Sequence, residues 1–244
     1  MEKVALVTGG ARRVGAGIVR YLHERGWRVA LHYRSSAAQA QTLVDELNAQ
    51  RPGSVALFQA DLLDTARLPA LITAVQAHFG RLDALVNNAS SFFPTPVGQF
   101  TEEAWQDLLG SNLKAPIFLA QAAVAALRET HGAIVSIADI HAERPYPEHT
   151  LYTVAKAGLV AMTRSLAREL APQVRVSAVA PGSNLWPDHD SVFDAQERAR
   201  IEASIPLGRT GTPQDLAQAI HFLLEAPYIT GVILPVDGGR SVVL

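Results

Sequence analysis

Short apolar stretches alternate with longer amphipathic segments along this chain. The short stretches are residues 4–7, 28–32, 55–59, 84–86, 133–137, 174–179 and 232–236. Most are bounded by Gly, Asp, Asn or Pro and several are rich in β-branched residues, which is typical of strands buried on both faces. Between them apolar residues recur at helical spacing, as at Val14, Ile18 and Leu22. The alternation predicts an α/β fold in one domain, residues 1–244: a doubly wound parallel sheet of about seven strands with helices on both faces.

Capping residues mark several of the predicted helix ends. Gly26 follows the first helical pattern and is expected to close that helix. Thr101 precedes two glutamates, which is the pattern of an N-cap with acidic residues in the first turn. Thr212 precedes Pro213, a cap followed by proline at the first helical position.

Three segments fit neither period, namely residues 90–99, 139–150 and 181–194. Each of them follows a predicted strand. Ligands bind to open parallel sheets in the crevice outside the carboxyl ends of the strands. We therefore expect these loops to form the walls of a site, with a substrate loop over about residues 181–205.

The composition narrows the classes of protein. The 244 residues carry a net charge of −2, so there is no basic excess to bind nucleic acid. The chain has no cysteine and eight histidines without metal-ligand spacing, so we expect no metal site. The sequence contains no uninterrupted run of ~18 apolar residues, so we expect no membrane span. The apolar stretch at 4–7 is too short for a signal peptide. We expect a soluble cytoplasmic protein.

The turn after the first strand, residues 8–17, is rich in glycine. Around Gly9, Arg13, Val14 and Gly15, backbone N–H groups could approach a pyrophosphate at the positive end of the next helix. An ordinary strand-to-helix turn that contains glycine is the alternative. The position of this turn in the first βα unit favours the nucleotide.

The end of the second strand indicates which nucleotide binds. An NAD site favours a carboxylate there to bind the ribose hydroxyls, whereas this chain has Arg34 between Tyr33 and Ser35. Because a guanidinium matches the geometry of phosphate, we infer NADPH rather than NADH. A solvated arginine at a strand end is the alternative.

Two later strand ends supply further candidate cofactor contacts. Asp61, followed by Leu62, could accept a hydrogen bond from adenine, although helix N-capping accounts for it equally well. Asn88 and Ala89 could bring backbone groups beside the cofactor, or they could form only a turn.

Tyr152 and Lys156 form the candidate catalytic pair. Residues four apart share one face of a helix. A phenol has an ordinary pKa of ~10 and is a weak acid near neutrality, and a neighbouring ammonium is expected to lower that pKa. The same lysine could hold the nicotinamide ribose. Of the 21 basic residues only Lys3, Lys114 and Lys156 are lysines, which favours a specific role over the alternative of a snorkelling surface lysine.

The identity of these motifs and their order along the chain resemble those of the short-chain dehydrogenases/reductases. The resemblance covers essentially the whole chain and rests on Thr8, Gly9, Gly15, Asn87, Asn88, Ala89, Asn112, Tyr152, Lys156, Pro181, Gly182 and the segment 236–239. It implies a Rossmann-type fold and cofactor contacts from Pro181 and Gly182. It also implies that Asn112 belongs to the catalytic set, by holding a water molecule that links Lys156 to solvent.

At two positions the chain departs from the general family pattern, and there it resembles one branch of the family, the pteridine reductases. The usual fingerprint has glycine where this chain has Arg13, and the usual catalytic serine, thirteen residues before the tyrosine, is Asp139 here. The segments 32–35, 88–96, 139–145 and 185–187 also resemble that branch. The threonine that many relatives carry shortly after Pro-Gly, to hold the carboxamide, is missing.

The resemblance implies a site for a flat, nitrogen-rich ring. Phe92 would cover one face of a pterin while the nicotinamide covers the other. Ser90 and Arg13 would bond to its polar atoms, and Trp186 would close the pocket. Loop packing for Phe92 and a solvated helix start for Arg13 are the alternatives.

The resemblance also implies the reaction. NADPH would reduce a ring C=N bond of a dihydropterin or dihydrofolate to the tetrahydro form, with Asp139 feeding protons through Tyr152; a loop cap is the alternative for Asp139. A carbonyl reductase, such as a 3-oxoacyl thioester reductase, remains open, and so does a non-catalytic NADPH-binding sensor. The family implies a homotetramer built largely through the helices at 105–128 and 152–170.

Overall fold

The computed structural model describes residues 2–186 and 194–244. Its strands are β1 Val4–Val7, β2 Arg28–Tyr33, β3 Val55–Gln59, β4 Ala84–Asn87, β5 Ala133–Ile137, β6 Arg175–Pro181 and β7 Ile233–Val236. Its helices are α1 Arg13–Glu24, α2 Ala37–Gln50, α3 Leu68–Phe79, α4 Glu102–Leu109, α5 Ala115–Thr130, α6 Thr150–Leu170, α7 Ala195–Ala203, α8 Pro213–Glu225 and α9 Arg240–Val243. The strands pair in parallel in the order β3-β2-β1-β4-β5-β6-β7. The predicted Rossmann-type sheet is confirmed.

Helices cover both faces of the sheet, and alternate strand residues face alternate layers. Ala5 and Val7 of β1 pack with residues of α1, α2 and α8, whereas Val4 and Leu6 pack with residues of α3, α5 and α6. All four of these side chains are fully buried. Because both faces are covered, β1 has a continuous apolar sequence rather than an alternating one.

Several strands differ from their predicted bounds at the ends. β2 continues through Tyr33, β4 through Asn87 and β6 through Pro181, while β6 and β7 each begin one residue later than predicted. Each added end residue pairs with the adjacent strand. Backbone pairing, which hydropathy does not register, therefore carries the strands to the edge where the loops begin.

The helix caps agree with the sequence predictions. The Thr101 side chain accepts a hydrogen bond from the backbone N–H of Ala104 at 3.2 Å, and Thr212 forms a reciprocal capping box with Asp215. Gly26 lies just beyond the end of α1 with a φ of 83°, a left-handed conformation that favours glycine.

A continuous helical stretch from Glu102 to Thr130 joins α4 and α5 through a five-residue π-helical segment, Gly110–Lys114. By length and composition this stretch could cross a membrane, and 44% of its most apolar window is buried. Leu119 and Leu127 on its inner face pack in the same core layer as β1. A core helix of a globular protein meets the same criteria, so length and composition alone are a weak indication of a span.

Candidate active site

A cleft of about 800 Å³ lies at the carboxyl edge of the sheet. All three predicted wall loops contribute to it, and residues 187–193 of the third loop lie outside the described residues. The predicted site residues that line the cleft are Gly9, Arg13, Val14, Gly15, Tyr33, Arg34, Ser35, Asp61, Leu62, Asn88, Ala89, Ser90, Phe92, Asp139, Tyr152, Lys156, Pro181, Gly182 and Trp186. Of the predicted residues, Asn112 alone is not part of this lining. The structure thus brings the others together, while their roles remain predictions.

Thr8 fastens the glycine-rich turn to the end of β4. Its hydroxyl oxygen accepts hydrogen bonds from the backbone N–H groups of Asn88 at 2.9 Å and Ala89 at 3.0 Å. The Asn88 amide donates to the carbonyl oxygens of Thr8 at 2.7 Å and Gly9 at 3.1 Å. A side chain at Gly15 would overlap the Gly9 carbonyl, so only glycine fits there. The two strand ends consequently form one hydrogen-bonded unit.

His32 ties the same turn to the end of β3. The backbone N–H of Gly9 donates to Nδ1 at 3.2 Å, and Nε2 lies 3.1 Å from the carbonyl oxygen of Ala60. These partners fix a neutral tautomer with the proton on Nε2. Burial lowers the pKa of His32 to about 4. From the sequence alone no role was predicted for this histidine, although a polar residue at the end of the apolar stretch 28–32 was the available signal.

The end of β2 carries the candidate phosphate site. Arg34 is exposed and lines the cleft, and its carbonyl oxygen accepts a hydrogen bond from the Gln59 side chain at 3.1 Å. Asp61 also lines the cleft, where its Oδ1 accepts the backbone N–H of Leu63 at 3.0 Å. This contact closes a turn and caps no helix, because the next helical segments are preceded by Asp64 and Arg67. The N-capping alternative for Asp61 is therefore wrong, and its position on the cleft wall is what the structure shows.

Tyr152, Asp139 and Lys156 meet at the centre of the cleft. The Tyr152 hydroxyl donates to Asp139 Oδ2 at 2.7 Å, and Asp139 Oδ1 accepts the backbone N–H of His141 at 2.8 Å. Lys156 lies one turn along α6, and its Nζ donates to the carbonyl oxygen of Ile137 at 2.7 Å. The same Nζ is 5.6 Å from the centre of the Tyr152 ring. Asp139 therefore caps a turn and contacts the phenol at once.

The pKa values of this pair shift in a direction that the sequence did not predict. The pKa of Tyr152 is raised well above its ordinary value, by burial first and then by the charge of Asp139 and the hydrogen bond to it. Burial lowers the pKa of Lys156 to about 8, against the opposing charge of Asp139. The expectation that Lys156 lowers the pKa of Tyr152 is wrong for this structure, because burial and the adjacent carboxylate dominate.

Phe92 lies in a small aromatic group between two of the wall loops. Its ring stacks on His149 with centres 4.6 Å apart and planes 17° apart, and it meets the Tyr152 ring edge-on at 4.9 Å. The loops are joined beside it by a parallel bridge between Thr95 and His149. Phe92 is 38% exposed. One face of the ring is thus covered by His149, and the side chain still borders the cleft.

Arg13 holds the third wall loop. Its Nη2 donates to the carbonyl oxygens of Leu185 at 3.2 Å and Trp186 at 2.9 Å. The Trp186 ring lies under the guanidinium of Arg198 at 5.6 Å, which joins it to α7. The sequence predicted that Arg13 would reach pterin polar atoms, and the structure adds these contacts with the loop. Of the predicted segment 185–187, Pro187 is outside the described residues.

Asn112 lies in the π-helical segment and is 1% exposed. Its amide nitrogen donates to the carbonyl oxygens of Ser91 at 2.9 Å and Leu108 at 3.0 Å. Its Oδ1 is buried and accepts no hydrogen bond from any described residue. The predicted water-binding role of Asn112 fits an oxygen in that state. The residue lies behind the cleft wall rather than on its surface, and its role stays a prediction.

Several other residues that line the cleft were not predicted from the sequence, including Arg240, Ser183, Tyr146 and His141. Arg240 directly follows two glycines near the end of the chain, and a charged residue in an otherwise apolar C-terminal sequence was the available signal. Within the described ranges, no group of three or more His, Asp or Glu side chains is arranged to hold a metal ion.

Comparisons with known proteins fit this geometry. A model of the family described as enoyl-(acyl carrier protein) reductase matches residues 9–241. Pteridine reductase 1 of Leishmania tarentolae is 40% identical over an alignment of 280 positions, which covers 98% of this chain and 96% of that protein. The chain belongs to the short-chain dehydrogenase/reductase family. It is therefore an oxidoreductase of a family whose members use NAD(P)H.

Other members of the family are similar to this chain at comparable identity. The 3-oxoacyl-[acyl-carrier-protein] reductase FabG of Staphylococcus aureus is 36% identical over 243 residues, 98% of each chain. Protein FixR of Bradyrhizobium diazoefficiens is 36% identical over 250 residues, covering 98% of this chain and 86% of that protein. Because these relatives have different names at similar identity, family membership does not identify the substrate of this chain. The residues of the cleft have to supply that argument.

Proposed function

We propose that this protein is an NADPH-dependent pteridine reductase, which reduces a ring C=N bond of a dihydropterin or dihydrofolate to the tetrahydro form. The observation that carries the proposal is the 2.7 Å hydrogen bond from the Tyr152 hydroxyl to Asp139. The general pattern of the family has a serine where this chain has Asp139. A carboxylate in its place calls for a different proton chemistry.

A carboxylate suits C=N reduction because the product nitrogen must gain a proton. A hydroxyl can stabilise a carbonyl oxygen by a hydrogen bond, whereas an imine nitrogen is protonated as hydride reaches the neighbouring carbon. In the resting geometry the phenol donates to Asp139. When Asp139 takes a proton from solvent, that hydrogen bond can reverse, and the Tyr152 hydroxyl can donate its own proton to the substrate nitrogen. The raised pKa of Tyr152 keeps the phenol protonated between turnovers.

The residues of the cleft fit NADPH. The turn around Gly9 and Gly15 presents backbone N–H groups at the start of a helix, the usual environment of a pyrophosphate. Arg34 is exposed on the cleft directly after β2, and β2 contains no carboxylate, which favours a 2′-phosphate over a free ribose. Asp61 and Ala89 would hold the adenine end and the middle of the coenzyme. When bound, NADPH supplies the hydride.

Lys156 and Asn112 would support proton supply and orientation. Lys156 has a pKa of about 8, so its ammonium is protonated at neutral pH and can hold the nicotinamide ribose. The buried Oδ1 of Asn112 can accept a water molecule. Such a water would connect Lys156 to solvent, and would let protons return to the site after each turnover.

Phe92, Ser90 and Trp186 would hold the pterin. With one face of Phe92 against His149, a flat ring would stack on the opposite face, an arrangement worth roughly 0.5–1.5 kcal/mol beyond burial. Ser90 would bond to the polar edge of the ring. Arg13 would act on the substrate and, through its hydrogen bonds to the 185–186 backbone, on the loop that closes the pocket.

A 3-oxoacyl thioester reductase is the second candidate. The observation that favours it is the 36% identity to FabG over 98% of both chains. That reaction would use the same cofactor, Tyr152 and Lys156. It gives no role to Asp139, and a serine at that position would be tolerated or better.

Side-by-side assays distinguish the candidates. Purified protein would be given NADPH with dihydrobiopterin, dihydrofolate or an acetoacetyl thioester, and coenzyme oxidation followed. We expect turnover of the pterins. Turnover of the thioester alone would overturn the proposal, and tight NADPH binding without turnover of any substrate would indicate a sensor instead. We also propose that the enzyme works in the cytoplasm.

A further inference from the structure

Arg240 brings a buried positive charge to the wall of the cleft. It begins α9 directly after a turn in which the Asp237 carboxylate accepts the backbone N–H groups of Gly239 at 2.9 Å and Ser241 at 2.7 Å. Gly239 has a φ of 87°, which turns the chain back toward the sheet edge. The Arg240 side chain is 6% exposed and lines the cleft.

No carboxylate among the described residues lies within ion-pair distance of this guanidinium. Its Nη1 donates to the Ser183 hydroxyl at 2.6 Å, and its Nε is buried without an acceptor. The nearby acidic groups are already engaged: Asp139 by Tyr152, and Glu197 by Arg200 at 2.8 Å. The structure therefore leaves this charge without an anion in contact.

A buried cation is costly unless an anion or several acceptors compensate for it. Where the cation lines a ligand cleft, the ligand itself can supply that compensation. A guanidinium offers a planar fork of donors whose best partner is a carboxylate or a phosphate. The guanidinium of Arg240 thus favours a ligand that carries a carboxylate or a phosphate.

The position of Arg240 separates it from the coenzyme phosphate. Arg34 directly follows β2, whereas Arg240 follows β7, and β1, β4, β5 and β6 lie between these strands in the sheet. Arg240 instead shares its end of the cleft with Tyr146, whose phenol it influences electrostatically. That end belongs to the wall loops assigned to the substrate.

We propose that Arg240 is a specificity-determining residue that binds a carboxylate on the substrate. This rests on the proposed function and extends it: the protein favours dihydrofolate, with its carboxylated tail, over dihydropterins whose side chains are uncharged. Ser183 positions the guanidinium for this contact.

Steady-state kinetics on Arg240→Met, Arg240→Lys and Ser183→Ala test the assignment. For dihydrofolate, Arg240→Met should lower kcat/KM by about 10- to 100-fold, the loss expected for one charged hydrogen-bonding group, chiefly through KM. Lysine should restore part of that loss, and Ser183→Ala should cause a smaller loss. For dihydrobiopterin all three variants should stay within about threefold of wild type, and NADPH affinity should not change. Arg67→Met, an exposed arginine outside this cleft, is the matched control.

Other outcomes separate this inference from the proposed function. An equal loss for both pterins, or weakened NADPH binding, would overturn the role of Arg240 while leaving pterin reduction intact. Wild-type protein that reduces neither pterin would overturn the proposed function. Titration calorimetry with dihydrofolate then decides about Arg240: binding weakened at least about tenfold by Arg240→Met supports the carboxylate contact, and absent or unchanged binding refutes it.

Discussion

The chemistry of the cleft depends on how burial treats each ionisable side chain. Tyr152 and Lys156 share one helix face, yet burial raises the pKa of the phenol and lowers that of the ammonium. Burial always disfavours the charged form, so it shifts acids and bases in opposite directions. The Tyr152 phenol therefore stays neutral around neutral pH. Lys156, whose pKa is about 8, is the member of the pair that titrates close to neutral pH.

An alkaline fall in activity should follow from Lys156. The lysine is protonated below its pKa of about 8, so its charge is lost as pH rises through that value. We expect kcat/KM for a dihydropterin to decline above pH about 8. Lys156→Arg, which keeps its charge, should remove this limb from any activity that remains. A flat wild-type profile from neutral to strongly alkaline pH would contradict the assigned role of Lys156.

Coenzyme choice should depend on Arg34. If its guanidinium binds the 2′-phosphate, Arg34→Ala should weaken NADPH binding by about 10- to 100-fold and leave NADH binding nearly unchanged. Arg12→Ala, another exposed arginine that lines the cleft, should not discriminate between the two coenzymes. Fluorescence titration of both coenzymes measures this, and equal weakening by Arg34→Ala would refute the phosphate assignment.

Residue types and spacings predicted which side chains meet at the centre of the cleft, but they did not predict the direction of the Tyr152 pKa shift. The separation of Tyr152 and Lys156 placed them on one helix face, and Asp139 was expected to hydrogen-bond to the phenol. The direction of the Tyr152 pKa shift was not predictable, because it depends on how deeply the ring is buried and on which neighbour is closest. The position of Arg240 in the cleft was missed because it depends on a contact with Ser183, which is 57 residues away in the sequence.

At the scale of secondary-structure elements, His32 holds two strand ends together. Its hydrogen bonds join the glycine-rich turn after β1 to the end of β3. Only the neutral ring can accept from Gly9, since protonation would place a hydrogen on Nδ1 as well. The turn expected to hold the pyrophosphate is therefore sensitive to the protonation of one buried histidine.

Acid should destabilise the fold through His32. Its pKa is about 4 in the folded protein and 6.5 ordinarily, so the unfolded chain binds the extra proton between these values. The stabilising contribution is present above pH 6.5 and is lost as pH falls toward 4, to a limit of about 3 kcal/mol. Urea unfolding should show a smaller acid loss for His32→Gln than for wild type or for His131→Asn, an exposed control. Identical losses in all three would contradict this account.

The elements themselves were largely predictable, and their ends were not. Buried strands and capped helices have strong local signals, such as the apolar run of β1 and the Thr212 capping box. The ends of β2 and β4, at Tyr33 and Asn87, depend on pairing with neighbouring strands. The π-helical segment that buries Asn112 has no local sequence signal that we can identify.

At the scale of the whole molecule, exposed apolar side chains lie on the helices through which the family resemblance implies assembly. Trp105 on α4, Ile117 and Phe118 on α5, and Val154 on α6 are each 37–47% exposed. Apolar patches of this kind are typical of protein interfaces. We propose from them the homotetramer that the family resemblance implies, in which these side chains of the stretch from Glu102 to Thr130 and of α6 would be covered.

The assembly can be measured directly. Light scattering with size exclusion should give four times the chain mass of 26.2 kDa. Phe118→Glu should shift the protein to smaller species, because a charge would be buried in the interface. Val97→Glu, at an exposed valine outside these helices, should leave the mass unchanged. A monomeric wild-type protein would contradict the proposal.

The carboxylate at position 139 carries the central claim, and replacing it with the serine of the general family pattern tests it most directly. The measurement is the ratio of dihydropterin to acetoacetyl thioester turnover, with NADPH, for wild type and Asp139→Ser. We predict that wild type favours the pterin, and that the variant loses about 10²- to 10⁴-fold of pterin turnover with NADPH affinity unchanged. Undiminished pterin turnover in Asp139→Ser, or a wild type that reduces the thioester alone, would contradict the account.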